Sequence, residues 1–531
     1  GDWWNPDTSD ERVKMTKKCR KLVDESKAAL LGTELAGVAT PYMKHLECLA
    51  LIRLDERSAA LDQVRKYWGG MLETGATTFY EAFNEEETIS DVAAFYDRPF
   101  ARSLCHAWSA GPCALYPEIL LGIRPLSDGW KEWACSPLES VSTVTSEIHT
   151  TYGTIRVQLD QTQLRVSVPD GTTLKLMNKN YEGGLHCIPR SVLISSELAK
   201  QWSKKYRGWH YHEKHVIPPN PTIASHEGIQ MTDVPTVFQL PGDDDTFYMS
   251  FVGFDGIGYQ SFIAESSDLV EWTNLRLAMG YGEEGAFDHG GVVLGAYHYE
   301  SYRIDAPRML KRTKDDKFLS LYGAYKKKNE YEADPGYQGL ASSCDGINWK
   351  REKDEYILSI HGPGEVEDWE KHSIYQPWLV EHDGVYYNFY NAKQMPEWIE
   401  QIGIATSQCL YDWERHCDNP IISVSKDGFD TQFCSDAKVF WDEDRKHWVM
   451  FFYGVGRGAA HMMIAFSRDL IHWERDTTPL YQAGGNLSGL DKKYAHKVSI
   501  VYNSKNDIFY MFYCAVGDKG RGIGLITSKP L

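Results

Sequence analysis

Asp233, Asp305 and Asp436 each open a short apolar run in the C-terminal part of the chain: Asp233-Val234-Pro235-Thr236-Val237-Phe238, Asp305-Ala306-Pro307-Arg308-Met309-Leu310 and Asp436-Ala437-Lys438-Val439-Phe440. Two similar runs open on other polar residues, Gln376 before Pro377-Trp378-Leu379-Val380 and His496-Lys497 before Val498-Ser499-Ile500-Val501. If the runs are equivalent strands, their first residues face one axis. Carboxylates converging there repel one another, raise one another's pKa values and cost stability unless they are used. Asp233, Asp305 and Asp436 are therefore the expected acid–base residues, with Gln376, His496 and Lys497 beside them in contact with substrate.

A second acid precedes these runs: Glu227, Glu370, Asp430 and Asp491, with Asp288 of Phe287-Asp288-His289-Gly290-Gly291 as a displaced equivalent. An acid repeated in this way reads first as scaffold, a carboxylate capping backbone N–H groups in each entry loop. Glu227, Asp288 and His289 are also counted among the residues expected to touch substrate. Arg308, Arg457 and Lys497 fall in or beside the same strands. Arginine grips carboxylates bidentately, so a substrate bearing acid groups accounts for them, and ion pairing between strands accounts for them equally.

The elements that must position these residues form a five-fold echo. One half is a strand ending in a small residue and followed by Ser, Asp and Trp, as in Ile263-Ala264 to Trp272, Leu340-Ala341 to Trp349, Ile404-Ala405 to Trp413 and Ile464-Ala465 to Trp473, with Gly524-Leu525-Ile526-Thr527-Ser528 as a truncated copy. The other half is an aromatic strand: Phe247–Phe251, Phe318–Tyr322, Tyr386–Tyr390, Trp448–Phe452 and Phe509–Tyr513. A period of roughly 45–75 residues with several short strands per copy predicts radial repetition, a five-bladed β-propeller over 223–531 with a central funnel. The preceding residues predict the end of an α/α barrel over 1–122, from loosely helical apolar spacing across 11–68 and another helix over 99–121. A small antiparallel β-sandwich follows over 123–187, with the alternating runs Gly153–Leu159 and Leu164–Val168 and the turn Pro169-Asp170-Gly171, then a linker over 188–222. The fold class is thus multidomain: partial α/α barrel, β-sandwich and propeller.

Composition narrows the function classes. A chain of 531 residues with 42% hydrophobic content carries several cores, and its net charge of −18 argues against nucleic acid and anionic membrane surfaces as partners. No apolar run approaches the ~20 residues of a membrane-spanning helix. The 11 cysteines lack metal-ligand spacing, so neither a metal nor another cofactor is expected. The first residue is Gly1 rather than Met, and the helical part is small, so the chain is expected to be the later portion of a longer protein.

The stretch Tyr67-Trp68-Gly69-Gly70-Met71-Leu72-Glu73-Thr74-Gly75-Ala76-Thr77-Thr78-Phe79-Tyr80-Glu81, with Arg102-Ser103-Leu104-Cys105-His106-Ala107-Trp108-Ser109-Ala110-Gly111-Pro112, resembles glycoside hydrolase family 78, the α-L-rhamnosidases. The resemblance implies an inverting (α/α)6-barrel enzyme with Glu81 as general base and His106 and Trp108 lining its pocket. The family's general acid lies upstream of the equivalent of Gly1, which implies a missing barrel portion in the same polypeptide or another chain. An inverting glycosidase needs two carboxyl groups roughly 6.5–9.5 Å apart. The propeller half is similar to the family 43 and family 32 glycosidases, through signatures such as Phe287-Asp288-His289-Gly290-Gly291 and Ser467-Arg468-Asp469-Leu470-Ile471-His472-Trp473. By position, that likeness implies Asp233 as base or nucleophile and Asp305 as its modulator. The two modules together resemble bacterial enzymes that dismantle pectin, notably rhamnogalacturonan-II. This implies a periplasmic or secreted glycosidase acting on a complex polysaccharide and taking an acidic sugar in the funnel. A non-catalytic carbohydrate-binding propeller is the alternative.

Overall fold

A computed structural model describes residues 25, 28–30, 40–224, 226–330, 332, 334–362 and 366–531. The helical pattern expected over 11–39 falls largely outside them. The chain divides into two bodies, Gly1–Leu198 and Ala199–Leu531. No described helix is long and apolar enough to cross a membrane.

In the first body, helices Pro41–Arg53, Arg57–Glu73 and Gly111–Leu121 pack on one another and bury Cys48, Leu51, Leu61, Val64, Leu115 and Ile119. Of the barrel end expected over 1–122, the described residues show a small helical cluster, and no α/α barrel is evident among them. The helix expected over 99–121 begins only at Gly111. Pro112 occupies its first turn, where a missing N–H breaks no helical bond. It ends at Gly122 in the left-handed region (φ 62°), where an added Cβ would meet the Arg57 guanidinium at 2.7 Å and the Ser136 carbonyl at 2.8 Å. Two four-stranded sheets follow. One contains Arg124–Pro125, Glu132–Ala134, Thr173–Leu176 and Lys179–Tyr181, and the other Val144–Thr150, Gly153–Leu159, Gln163–Val168 and Gly184–Pro189. Ile155, Val157 and Leu159, with Leu164, Val166 and Val168, alternate inward as a one-faced sheet requires.

The second body contains five successive antiparallel units. Their first three strands are Met231–Leu240, Asp243–Phe254 and Tyr259–Ser266; Gly291–Tyr297, Phe318–Tyr325 and Gly336–Ser343; Ser373–His382, Val385–Gln394 and Ile399–Ser407; Phe433–Asp442, His447–Gly456 and Ala459–Ser467; and Tyr494–Asn503, Ile508–Gly517 and Gly520–Thr527. Outer strands complete units one to four, short in units two and three and as long as the third strand in unit four. The outer place of unit five is taken by His210–Tyr211, which pairs with Thr527 and Ile526. The fifth unit also reaches the first, where the Val237 amide donates to Ser499 Oγ at 3.0 Å. The stretch expected as a linker over 188–222 is therefore largely built in. Within it Trp202 stacks on His447 at 4.0 Å, and the Tyr206 hydroxyl donates to Asp442 at 2.6 Å.

The echo in the sequence is scaffold. In its Ser-Asp-Trp half, Ser266, Ser343 and Ser467 hydroxyls and Asp268, Asp345 and Asp469 carboxylates accept backbone N–H groups and close each turn. The row of entry-loop acids is also structural, but it binds side chains rather than mainly backbone. Asp288 accepts from Tyr322 at 3.0 Å and Arg351 at 2.5 Å, and Glu370 accepts from Tyr390 at 2.9 Å and forms an ion pair with Arg415 at 2.8 Å. Asp491 accepts from Tyr513 at 2.9 Å, and Asp430 pairs with Arg475. Units one and four have Phe251 and Phe452 where units two, three and five place tyrosines; Asp430 of unit four is buried against Arg475, whereas Glu227 of unit one is exposed.

Unit two departs from the expected alignment. Its first strand is Gly291–Tyr297, and the Asp305 run lies in a hairpin beyond that strand's end, closed by Tyr299 against Leu310. This hairpin inserts among the far ends of the other first strands. Tyr299 donates to the Val237 carbonyl at 3.4 Å and its ring lies 6.0 Å from Trp378. The Ile304 amide donates to the Trp441 carbonyl at 2.9 Å. Arg308, 1% exposed, donates to the carbonyls of Ile500, Arg303, Ala306 and Ile304 and lies 4.2 Å from the Phe440 ring centre. Its expected place as a substrate contact is corrected to that of a plug tying the unit-two hairpin to units four and five. Burial pushes its guanidinium down to about 10. Arg308→Met strips several buried carbonyls of their donor, and is expected to cost about 2–4 kcal/mol, read as a lower melting temperature.

Candidate active site

The site lies at the end where the five first strands begin. Asp233, Tyr375, Ser435 and His496 hold equivalent positions there, each directly before a register shift. The bulge residues that follow, Val234, Asp436 and Lys497, have φ of 49°, 56° and 53°. Such bulges re-aim side chains at the rim of a sheet. Asp233 and Asp436 are therefore one position out of step, and Gln376 shares the place of Asp436 and Lys497.

Asp233 is 3% exposed and lies 2.9 Å from Lys497 Nζ and 2.8 Å from Arg521 Nη2. Burial alone would raise its pKa, but Arg521, Lys497 and His496 together hold the carboxyl well below the usual range. His496 Nδ1 lies 3.1 Å from the Cys514 carbonyl and Nε2 3.3 Å from Arg521 Nη2, which assigns the proton to Nδ1. Burial and then Arg521 push the imidazole down to about 3, so it is neutral at physiological pH. Lys497 also faces Glu332 Oε1 at 3.7 Å, a carboxylate from the connection between the second and third strands of unit two.

Glu332 in turn acts on Glu400, at the start of the third strand of unit three. Glu400 is 5% exposed, and its oxygens lie 3.1 Å from Trp398 Nε1 and 3.3 Å from Asn391 Nδ2. Burial first and the Glu332 charge second push its carboxyl up to about 7. Trp398 presents an exposed indole, with Lys393 Nζ 4.8 Å from its ring centre. Lys393 pairs with Asp334 at 2.7 Å, which also accepts from the Tyr375 hydroxyl at 2.8 Å and lies 2.9 Å from His372 Nε2. Residues of all five units and the unit-two connection thus meet at this end. Each buried cation at the centre faces a carboxylate: Lys497 and Arg521 face Asp233, Lys497 also Glu332, and Lys393 faces Asp334.

Of the residues expected from sequence, Asp233, His496 and Lys497 come together. Asp305 is at the opposite end, 39% exposed in its side chain and paired with Arg303 at 2.8 Å, so its expected catalytic place is corrected. The Asp305 run echoes Asp233-Val234-Pro235-Thr236 in composition without sharing its strand. Asp436 is buried and pairs with Lys438 at 2.6 Å. Asp288 belongs to the scaffold, and His289 Nδ1 lies 3.3 Å from the Gly282 carbonyl. Glu227 is exposed beside no scaffold tyrosine, and Arg457 is exposed on a rim turn 4.3 Å from the Phe429 ring centre. Glu332, Glu400, Arg521 and Lys393 were not anticipated. The third strands carried a signal for two of them. Aligned on their shared small residues, Tyr259, Gly336, Glu400, Ala460 and Arg521 are equivalent, and Glu400 and Arg521 are the charged breaks.

In the first body, Glu81 and His106 meet. The Ser103 amide donates to Glu81 Oε2 at 2.7 Å, which lies 3.5 Å from His106 Nδ1. The half-exposed Trp108 packs on His106 with ring centres 4.3 Å apart.

Two family models match parts of the chain. The one described as beta-1,4-mannooligosaccharide phosphorylase, glycoside hydrolase family 130, matches residues 314–500, and the bacterial alpha-L-rhamnosidase C-terminal domain matches residues 122–184. A solved structure described as a glycoside hydrolase is 25% identical, covering 64% of this chain and 96% of that one with a TM-score of 0.55. The chain is similar to glycoside hydrolases. A second structure, described as a complex of BT0996 and RGII, is also 25% identical over 64% of this chain and 96% of its own, with a TM-score of 0.54. No curated protein matches. The model matched in the C-terminal body is that of family 130, not of families 43 or 32, and the rhamnosidase likeness falls on the β-sheet segment.

Proposed function

We propose that the chain is a glycosidase working at the entry end of a five-bladed propeller, with Glu400 as general acid and Glu332 as the anionic carboxylate opposite it. The observation that carries this is the pair itself: a buried carboxyl raised to about 7 beside a reachable, 26%-exposed carboxylate and an exposed indole. A sugar stacked on Trp398 would present its glycosidic oxygen to a carboxyl still protonated near neutrality, which is what departure of the leaving group requires. Asp233 is too firmly held by two cations to accept a proton. Its part is to fix Lys497 and Arg521 as the wall of the site.

The likeness to a structure described as an RGII complex supports a complex pectic polysaccharide as substrate, and a polymer of that kind is in keeping with a periplasmic or secreted enzyme. The matching of buried cations by carboxylates favours a neutral sugar at the cleaved position over the acidic one first expected. Phosphorolysis is the second reading, favoured by the family 130 match. It needs an open cationic site for phosphate, whereas Lys497 and Arg521 both face Asp233. We further propose that Glu81, His106 and Trp108 belong to a second glycosidase site. The test is incubation of the propeller enzyme with pectic and rhamnogalacturonan-II oligosaccharides, with and without inorganic phosphate, followed by chromatography. Free sugar without phosphate is expected. Sugar phosphate formed only with phosphate would establish phosphorolysis, and binding without release would leave a carbohydrate-binding module.

A further inference from the structure

A second depression lies on the entry side of unit two, outside the cluster around Asp233. Its volume is about 430 Å³, and Phe287, Tyr337, Tyr356, His361, Asp354 and Glu355 line it. The size falls in the range of small-ligand sites, ~300–1,000 Å³. The aromatic side chains form one array: Tyr337 lies 5.4 Å from Tyr356, 6.0 Å from Phe287 and 6.2 Å from His361. Asp354 and Glu355 are exposed at its rim. Flat apolar surface bordered by hydrogen-bond acceptors suits a saccharide, which offers an apolar ring face and a girdle of hydroxyl donors.

The floor is held in place from below. Phe287 stacks on Tyr322 at 6.1 Å and 25°. The Tyr322 hydroxyl donates to Asp288, adjoining Phe287 in sequence, and Asp288 is fully buried against Arg351. Asp288, expected from sequence to touch substrate, is thus a positioning residue for this array. The depression is also joined to the central site. Lys326, at the start of the connection between the second and third strands of unit two, lines it, and Glu332 and Asp334 farther along that connection face Lys497 and Lys393.

We infer that this depression is an additional saccharide subsite that holds a distal part or branch of the same oligosaccharide whose bond is cleaved at Glu400. The inference rests on the glycosidase reading. A substrate long enough to reach across the unit-two connection gains stacking there, and a short one does not. The experiment compares whole rhamnogalacturonan-II side chains with their terminal disaccharides, using wild type, Tyr356→Ala and Asp354→Asn, each checked for an unchanged melting temperature. Tyr356→Ala is expected to raise KM for the whole side chain about tenfold, equivalent to about 1.4 kcal/mol. It should leave kcat and the KM for the disaccharide unchanged, with Asp354→Asn giving a smaller rise of the same selectivity. Equal KM changes for long and short substrates, or none, overturn the subsite while leaving the glycosidase reading intact. If wild type releases nothing, titration of Glu400→Gln with the same side chains decides. Binding weakened by Tyr356→Ala retains a saccharide site, and unweakened or absent binding removes it.

Discussion

Glu400→Gln is expected to lower kcat by about 10²–10⁴-fold, the usual contribution of a positioned general acid. The amide keeps the shape of the side chain and removes the proton that the leaving oxygen needs. Wild-type activity should fall on the alkaline side as pH rises through about 7, where burial and Glu332 place the Glu400 carboxyl. Stability separates this role from a structural one. The folded-state pKa of Glu400 is raised above its unfolded value, so its contribution is fully present below about pH 4.3 and is lost as pH rises through the folded value. The neutral glutamine avoids that loss. The variant should therefore melt no lower than wild type at pH 8 despite being inactive. Activity within tenfold of wild type, or an alkaline limb unchanged in the residual rate, would remove Glu400 from the acid's place.

Asp233→Asn is expected to destabilise the protein by about 3–5 kcal/mol, because it leaves the buried Lys497 and the partly buried Arg521 without their shared counter-charge. The sign with pH is opposite to that of Glu400. The folded pKa of Asp233 is held below its unfolded value, so the stabilisation is present above ~3.9 and is lost as pH falls below it. Thermal melts from pH 7 to pH 3 should show a constant gap between variant and wild type that starts to narrow below about pH 4. A melting temperature unchanged at pH 7 would mean that the Asp233–Lys497–Arg521 group contributes nothing to the fold.

These two residues stand on different sides of what could be read beforehand. Asp233 opens a first strand in a repeat that is plain in the sequence. Glu400 opens a third strand, where the repeat was used only to identify the scaffold. Glu332 lies in an irregular connection outside any repeat and carries no periodic signal. The Asp305 run shows the converse error, since local composition imitated a first strand that the chain had already formed at Gly291–Tyr297.

The sequence by itself determined the repeated scaffold, because strand alternation, Ser-Asp turns and entry-loop acids are local devices that recur wherever the same short-range geometry recurs. Glu81, His106 and Trp108 were grouped only through the family resemblance of two short motifs, which a few backbone hydrogen bonds join in the fold. Only the tertiary structure decided which breaks in the repeat share a site. A bulge displaces a side chain by one position, and a one-residue shift turns it to the other face of the sheet. Whether Glu332 raises Glu400, or Arg521 and Lys497 lower Asp233, depends on distances between separate antiparallel units, and spacing along the chain does not encode them.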